Sequence, residues 1–155
     1  MPFEFVSSCA RCGAKSNIAA ACLAQKGRCN ACKSELAPIA EPIHVNDWEL
    51  EDIVDRSQVP VLVEFCASWC QPCKATAPEV RKLAHDVQGR ALVLKVDTDA
   101  NPLLASRYGV ESIPNIMIFQ EGQQVFSRPG FSRREEMRTW IEDFIAAPRM
   151  SFGRR

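Results

Sequence analysis

Two patterns of apolar residues alternate along this chain, short nearly continuous runs and segments in which apolar positions recur every three or four residues. The alternation begins at residue 43. Residues 43–45 predict a short strand, and Asn46 with Glu49 three positions on predicts the start of a helix over 47–56. Residues 60–67 (PVLVEFCA) are almost wholly apolar and β-prone, the mark of a central strand covered on both faces. A helix is predicted over 70–87 with Pro78 inside it, where the missing backbone donor should kink it. A buried strand over 91–96 comes next, then a short helix over 101–108 ended by Gly109 and a strand over 115–120. Glu121-Gly122 makes a tight turn into a hairpin partner over 123–128. Ser132 and Glu135 read as a capping box opening a last helix, with Met137, Trp140, Ile141, Phe144 and Ile145 on one face. The order β-α-β-α-β-α-β-β-α is that of an α/β domain with a mixed sheet.

The first 36 residues show neither periodicity. They hold five of the eight cysteines; three more lie between 61 and 73, and the last 82 residues have none. Charge divides at the same place. The 155-residue chain is formally neutral, yet residues 1–36 carry five basic and two acidic side chains, or +3, leaving −3 for the remainder. Residues 33–42 contain two prolines and no clear period. The predicted organisation is thus a module over 1–36, a linker over 37–42, a domain over 43–147 and a tail over 148–155. Residues 1–8 have neither a basic leader nor an apolar stretch of signal-peptide length, and no run approaches a membrane span, so the expected location is the cytoplasm. In a reducing compartment, clustered cysteines read as metal ligands or catalytic thiols rather than structural disulfides. Zero net charge argues against a general polyanion binder.

Cys70-Gln71-Pro72-Cys73 stands where the central strand meets the long helix. Amide donors and the positive end of the dipole at a helix N-terminus favour thiolate over thiol, which makes Cys70 the candidate nucleophile. Two intervening residues bring Cys73 within disulfide reach of it. Half of a metal site is the rival reading, but no second pair lies nearby in this domain. At the front, Cys9, Cys12, Cys29 and Cys32 form C-x2-C-x16-C-x2-C, the spacing of a zinc ribbon with four sulfurs around one ion. Gly13 suits the first knuckle turn. Four thiolates and one zinc leave a charge of about −2, offsetting most of the segment's +3. About 36 residues bury too little apolar surface to fold alone, so metal would supply the folding energy. Two further redox pairs are the alternative, and iron would fit the same four ligands. Cys22, between the pairs, reads as a spare thiol or a substitute ligand.

The strand Val63-Glu64-Phe65, the run Trp69-Cys70-Gln71-Pro72-Cys73-Lys74, Pro78, Ile113-Pro114 and Gly130 together resemble the thioredoxin family, over about residues 43–147. The paired cysteines at the front are similar to those of its thioredoxin-2 type, which carries an N-terminal zinc module. The resemblance implies a thioredoxin fold and a protein-disulfide reductase. Cys70 would attack a substrate disulfide and Cys73 would resolve the mixed disulfide. Pro114 would be a cis-proline facing the site, with the Ile113 backbone pairing to extended substrate and Trp69, Ile113 and Gly130 forming an apolar docking surface. Gln71 and Pro72 would border the nucleophile. Electrons would come from NADPH through thioredoxin reductase, to a monomer holding one structural Zn2+ and no organic cofactor.

Three positions depart from the family pattern, which usually has Gly at Gln71, Asp at Glu64 and Trp at Cys66. A carboxylate inside an apolar strand is costly when charged, so Glu64 should titrate high and could relay a proton to or from Cys73. Cys66 shares its strand face with Glu64 by two-residue alternation. It reads either as an inert buried cysteine or as a third thiol able to trap Cys70 on overoxidation. His44 and His85 read as surface residues, Asp97 and Asp99 as capping groups, and Arg133, Arg134, Arg154 and Arg155 as solvated charge. A second functional reading is a zinc-binding redox sensor or holdase. Nucleic-acid binding is disfavoured, because Phe3 and Phe5 are the aromatic platforms of the front segment and metal would neutralise most of its charge.

Overall fold

The computed structural model describes residues 2–147; the predicted tail at 148–155, with Arg154 and Arg155, lies outside the described residues. The front segment contains two small antiparallel ribbons. One pairs β1 (Glu4–Ser8) with β2 (Lys15–Ala19), the other β3 (Gly27–Arg28) with β4 (Glu35–Leu36), and a 3-10 turn at Ala20–Cys22 joins them. Sequence periodicity missed all four strands. They are two to five residues long and mostly exposed, too short and too polar to show an alternating pattern. Residues 37–42 connect without regular structure.

The rest keeps the predicted order: β5 (Ile43–His44), α1 (Asp47–Arg56), β6 (Val61–Cys66), α2 (Gln71–Asp86), β7 (Leu92–Asp97), α3 (Pro102–Arg107), β8 (Asn115–Gln120), β9 (Gln123–Pro129) and α4 (Arg134–Ala146). The sheet order is β5-β7-β6-β8-β9, parallel across β5, β7 and β6 and antiparallel from β6 through β8 to β9. Asn46 Oδ1 accepts from the Glu49 amide at 3.0 Å, and Glu49 Oε1 accepts from the Asn46 amide at 2.9 Å, the capping box expected for α1. At α4 only half of a box forms, and one residue later. The cap is Arg133, whose amide donates to Glu136 at 2.9 Å; Ser132 is buried, and Glu135 instead pairs with Arg134 at 3.4 Å. α2 runs through Pro78 to Asp86. Glu121 and Gly122 both take positive φ, the geometry that matches a two-residue hairpin to strand twist.

Alternation along β6 divides the interior in two. Val61, Val63 and Phe65 point into a cluster with Leu50 and Ile53 of α1 and Leu104 of α3. Leu62 points the other way, into Val80 and Leu83 of α2 and Met137 and Ile141 of α4. Glu64 therefore faces α2. The front segment joins the first cluster through Phe3, Ala20 and Leu23, each about nine-tenths or more buried. The Phe3 amide donates to Asp52 at 2.7 Å, and the connection adds two bonds, the Ile39 amide to Leu23 O of the front segment at 3.0 Å and Gln88 Nε2 of the domain to Pro38 O at 2.8 Å. Burial of Phe3 and Leu23 contributes about 2 kcal/mol each. Among the described residues, no helix is long and apolar enough to cross a membrane.

Candidate functional site

β6 ends at Cys66, and shortly afterwards the chain enters α2 with Cys70 as its cap. Pro72 occupies the first turn of α2, where a missing amide hydrogen costs nothing. The Cys73 amide donates to Cys70 Sγ at 3.3 Å, so the sulfur takes one of the helix's unpaired donors. Cys70 also approaches Ile113 O at 3.7 Å, from the segment ahead of β8. Both thiols are nearly buried, Cys70 at 4% and Cys73 at 5% exposure. A groove of about 500 Å³ opens beside them, lined by Trp69, Cys70, Gln71, Pro72, Val110 and Ile113.

The Ile113-Pro114 peptide is cis, and Pro114 O accepts from the Gly130 amide at 2.8 Å. Gly130 reaches the site through this hydrogen bond and does not line the groove. Trp69 is 65% exposed, far from the core packing that is the default for tryptophan. Its indole Nε1 donates to Asp99 Oδ2 at 2.8 Å. Asp97 accepts from the amides of Asp99 and Ala100, at 2.9 and 3.3 Å, a turn that sets Asp99 in place. Asp97 thus closes a turn after β7 rather than capping α3, whose cap Asn101 makes no side-chain hydrogen bond to the helix, and Asp99 holds the tryptophan against the groove. No spacing rule links positions 69 and 99; the parallel pairing of β6 and β7 brings them together.

Two residues before Cys66 on β6 lies Glu64, fully buried. Burial pushes its carboxyl above the usual range, opposed in part by a hydrogen bond from Cys66 Sγ to Oε2 at 3.0 Å and by Lys95, whose Nζ lies 3.7 Å from Oε1. Oε1 has no hydrogen-bond partner among the described residues. Burial also raises the Cys73 thiol, with contact from the Cys66 side chain acting the other way. Cys66 is driven up strongly by burial and by the Glu64 charge. Cys66 thus meets Glu64, with which the alternation placed it on one strand face, and Cys73, rather than the Cys70 of the trapping alternative.

At the front, Cys9, Cys12, Cys29 and Cys32 converge, their sulfurs all within 4.8 Å of one another. Cys9 and Cys32 stand 3.7 Å apart, and Cys12 and Cys29 3.5 Å. A tetrahedral ion with metal–sulfur bonds of about 2.3 Å needs sulfurs about 3.8 Å apart, so the four fit a metal ion. The Arg11 and Ala31 amides each donate to the first sulfur of their pair at 3.4 Å. The Ser34 hydroxyl and then backbone amides bring Cys9 down to about 6, and amides lower Cys29, so both favour the ligating thiolate. Cys22 is exposed and outside this group, and His44 and His85 are exposed as expected.

A family model described as thioredoxin matches residues 41–143. The chain belongs to the thioredoxin family. It is 36% identical over 102 residues to thioredoxin of Rickettsia bellii, covering 66% of this chain and 97% of that protein. It is 34% identical over 134 residues to thioredoxin C-3 of Corynebacterium nephridii, covering 86% of this chain and 91% of that one. That overlap is longer than the family match. Among solved structures, a mutant thioredoxin from Halobacterium salinarum is similar with a TM-score of 0.65 at 34% identity, over 70% of this chain and 95% of its own. As a thioredoxin-family protein, the chain is a thiol-disulfide oxidoreductase.

Proposed function

We propose that this thioredoxin-family chain reduces protein disulfides with the Cys70/Cys73 couple and holds one structural zinc ion on Cys9, Cys12, Cys29 and Cys32. The observation that carries this reading is Cys70 at the cap of α2, its sulfur 3.3 Å from the Cys73 amide and open to the Trp69–Ile113 groove. An extended substrate segment lies in that groove along the Ile113 backbone, with Trp69, Gln71 and Pro72 around it, while Pro114 and Gly130, hydrogen-bonded to each other, hold the backbone beside it. The Cys70 thiolate attacks one sulfur of the substrate disulfide, and the other leaves as a thiolate. Cys73 then attacks Cys70 in the mixed disulfide, and the substrate leaves with both sulfurs reduced. Cys73 must lose its proton for this step, and Glu64 in its carboxylate form, made a stronger proton acceptor by burial, is the group to which that proton is relayed. Reducing equivalents return from NADPH through thioredoxin reductase, in the cytoplasm, to a monomer.

Residues 1–36 act as the zinc ribbon, 37–42 as its connection and 43–147 as the thioredoxin domain. Bound zinc supplies folding energy to the ribbon. The four cysteines position it, and Phe3, Ala20 and Leu23 tie the ribbon to the domain core. The test is insulin-disulfide reduction with NADPH and thioredoxin reductase. Turnover that disappears in Cys70→Ser supports the reading, and no turnover by the unaltered chain overturns it.

A further inference from the structure

Cys66 belongs neither to the four clustered sulfurs nor to the Cys70/Cys73 couple. It ends β6 two residues beyond Glu64, on the face turned toward α2, and its thiol donates to Glu64 Oε2 at 3.0 Å. Its side chain also meets that of Cys73. Cys66 and Cys73 share the wall of a cavity of about 250 Å³, with His44, Lys95, Lys74 and Asp97 around them. Cys66 therefore stands between a thiol that must give up a proton and a buried carboxyl that can receive it, and the hydrogen bond at Oε2 runs to Cys66.

We propose that Cys66 is a positioning residue for the resolving step, its thiol forming the hydrogen-bonded bridge over which Cys73 passes its proton to Glu64. The inference rests on the roles of Cys70 and Cys73 in the proposed function. As the Cys73 sulfur attacks Cys70, the Cys73 S–H bond breaks and its proton goes to Cys66 Sγ, while the proton already on Cys66 goes to Glu64 Oε2. The Cys70–Cys73 bond forms, and the bond from Cys70 to the substrate sulfur breaks. The substrate sulfur leaves with the electron pair and takes a proton from solvent. Cys66 ends as it began, a neutral thiol, neither oxidised nor reduced. A side chain held so firmly in its protonated form passes a proton on without keeping the charge, which suits a bridge and makes Cys66 a poor nucleophile.

The ionisable groups facing this bridge are Glu64 on β6, His44 on β5, Lys95 and Asp97 on β7, and Cys70, Cys73 and Lys74 at the start of α2. Cys66→Ala removes a hydrogen bond that lowers Glu64 and a contact that lowers Cys73, so the bridge is read from Cys66→Ser, which restores a donor, against Cys66→Ala at each pH. The experiment follows resolution of a mixed disulfide between Cys70 and a peptide thiol, by acid quench and mass spectrometry, from about pH 6 to about pH 10. Cys66→Ala and the volume-matched Cys66→Val, which lack a donor, should slow resolution about tenfold near pH 7, with the gap closing toward pH 10 as hydroxide takes the Cys73 proton. Cys66→Ser, which keeps a donor and an acceptor, should come within about threefold of the unaltered chain. Wild-type rates in Ala and Val, an equal slowing at every pH, or Ser as slow as Ala would each overturn the bridge while leaving the Cys70/Cys73 assignment standing. Failure of the unaltered chain to form any mixed disulfide at Cys70 would overturn both.

Discussion

Three C-x2-C pairs in this chain begin alike and end differently. In each, the carbonyl of the first cysteine accepts from the amide four residues on: Gly13 to Cys9 at 2.9 Å, Lys33 to Cys29 at 3.1 Å, and Lys74 to Cys70 at 3.2 Å. In each, the first sulfur also takes a nearby backbone amide. The paths part at the residue just after the second cysteine. Gly13 and Lys33 are left-handed, at φ 79° and 64°, and turn the chain back so that the Cys9 and Cys29 amides donate to Ala14 and Ser34. Lys74 continues a helix that runs to Asp86. A chain that reverses turns both sulfurs toward those of a second knuckle. A chain that goes on as a helix leaves one pair alone beside a groove. In the proposed function, the backbone path beyond the motif thus separates the pairs assigned to the metal from the pair assigned to catalysis.

The largest expected effect comes from removing the nucleophile on the helical side. Cys70→Ser should cut insulin-disulfide reduction by about 10³-fold or more while leaving metal content unchanged. Loss of metal along with activity in that variant would erase the distinction between the pairs. Next comes the knuckle side. Cys29→Ser, or removal of metal with a chelator, should destabilise the whole chain by about 3 kcal/mol or more, read as a fall in Tm by circular dichroism. The effect reaches the domain because Phe3, Ala20 and Leu23 share a core with Leu50 and Ile53. An unchanged Tm for the main transition would show that the ribbon does not support the domain.

Much of this division could be read from the residues. The pairs, the strand-to-helix junction at Cys70 and the Glu64 carboxyl in an apolar strand all come from local pattern, because each is a short-range signal. Lys33 could not be read so. Its left-handed conformation has no glycine to announce it, and the reversal is held by Cys29 and Ser34 on either side of the knuckle. The contact of Trp69 with Asp99 and the docking of Phe3 on the α1 cluster depend on which strands pair and which faces meet, information that two-residue and 3.6-residue periods do not carry. At α4, the sequence offers Ser132-Glu135 as the capping pair, whereas the backbone amide of Arg133, read as solvated charge, is the one that meets an acid three residues on. Burial of Ser132 decides against the first.

A smaller effect is expected at Glu64. Burial raises its folded-state titration above the unfolded value, so its contribution to stability is intact at low pH and is lost as pH rises through the folded value. Glu64→Gln should therefore be nearly neutral around pH 4 and stabilising by about 2 kcal/mol around pH 8, measured by urea unfolding at both. A gain independent of pH would show that its charge plays no part. The smallest effect is at the knuckle turn, where Lys33→Gly should stabilise by about 0.5 kcal/mol by relieving a left-handed lysine, offset in part by loss of its Nζ contact with Asn30 O. Urea unfolding of the metal-loaded protein reads this difference, and a loss of stability would show that the side-chain contact outweighs the backbone conformation.

Metal content and free thiols, counted on one sample before and after mild oxidation, test the division of the cysteines most directly. Of the eight cysteines, about four should stay protected with one zinc in both states, while two free thiols disappear on oxidation. Absence of metal from the reduced protein, or loss of zinc together with four further thiols on oxidation, would contradict it.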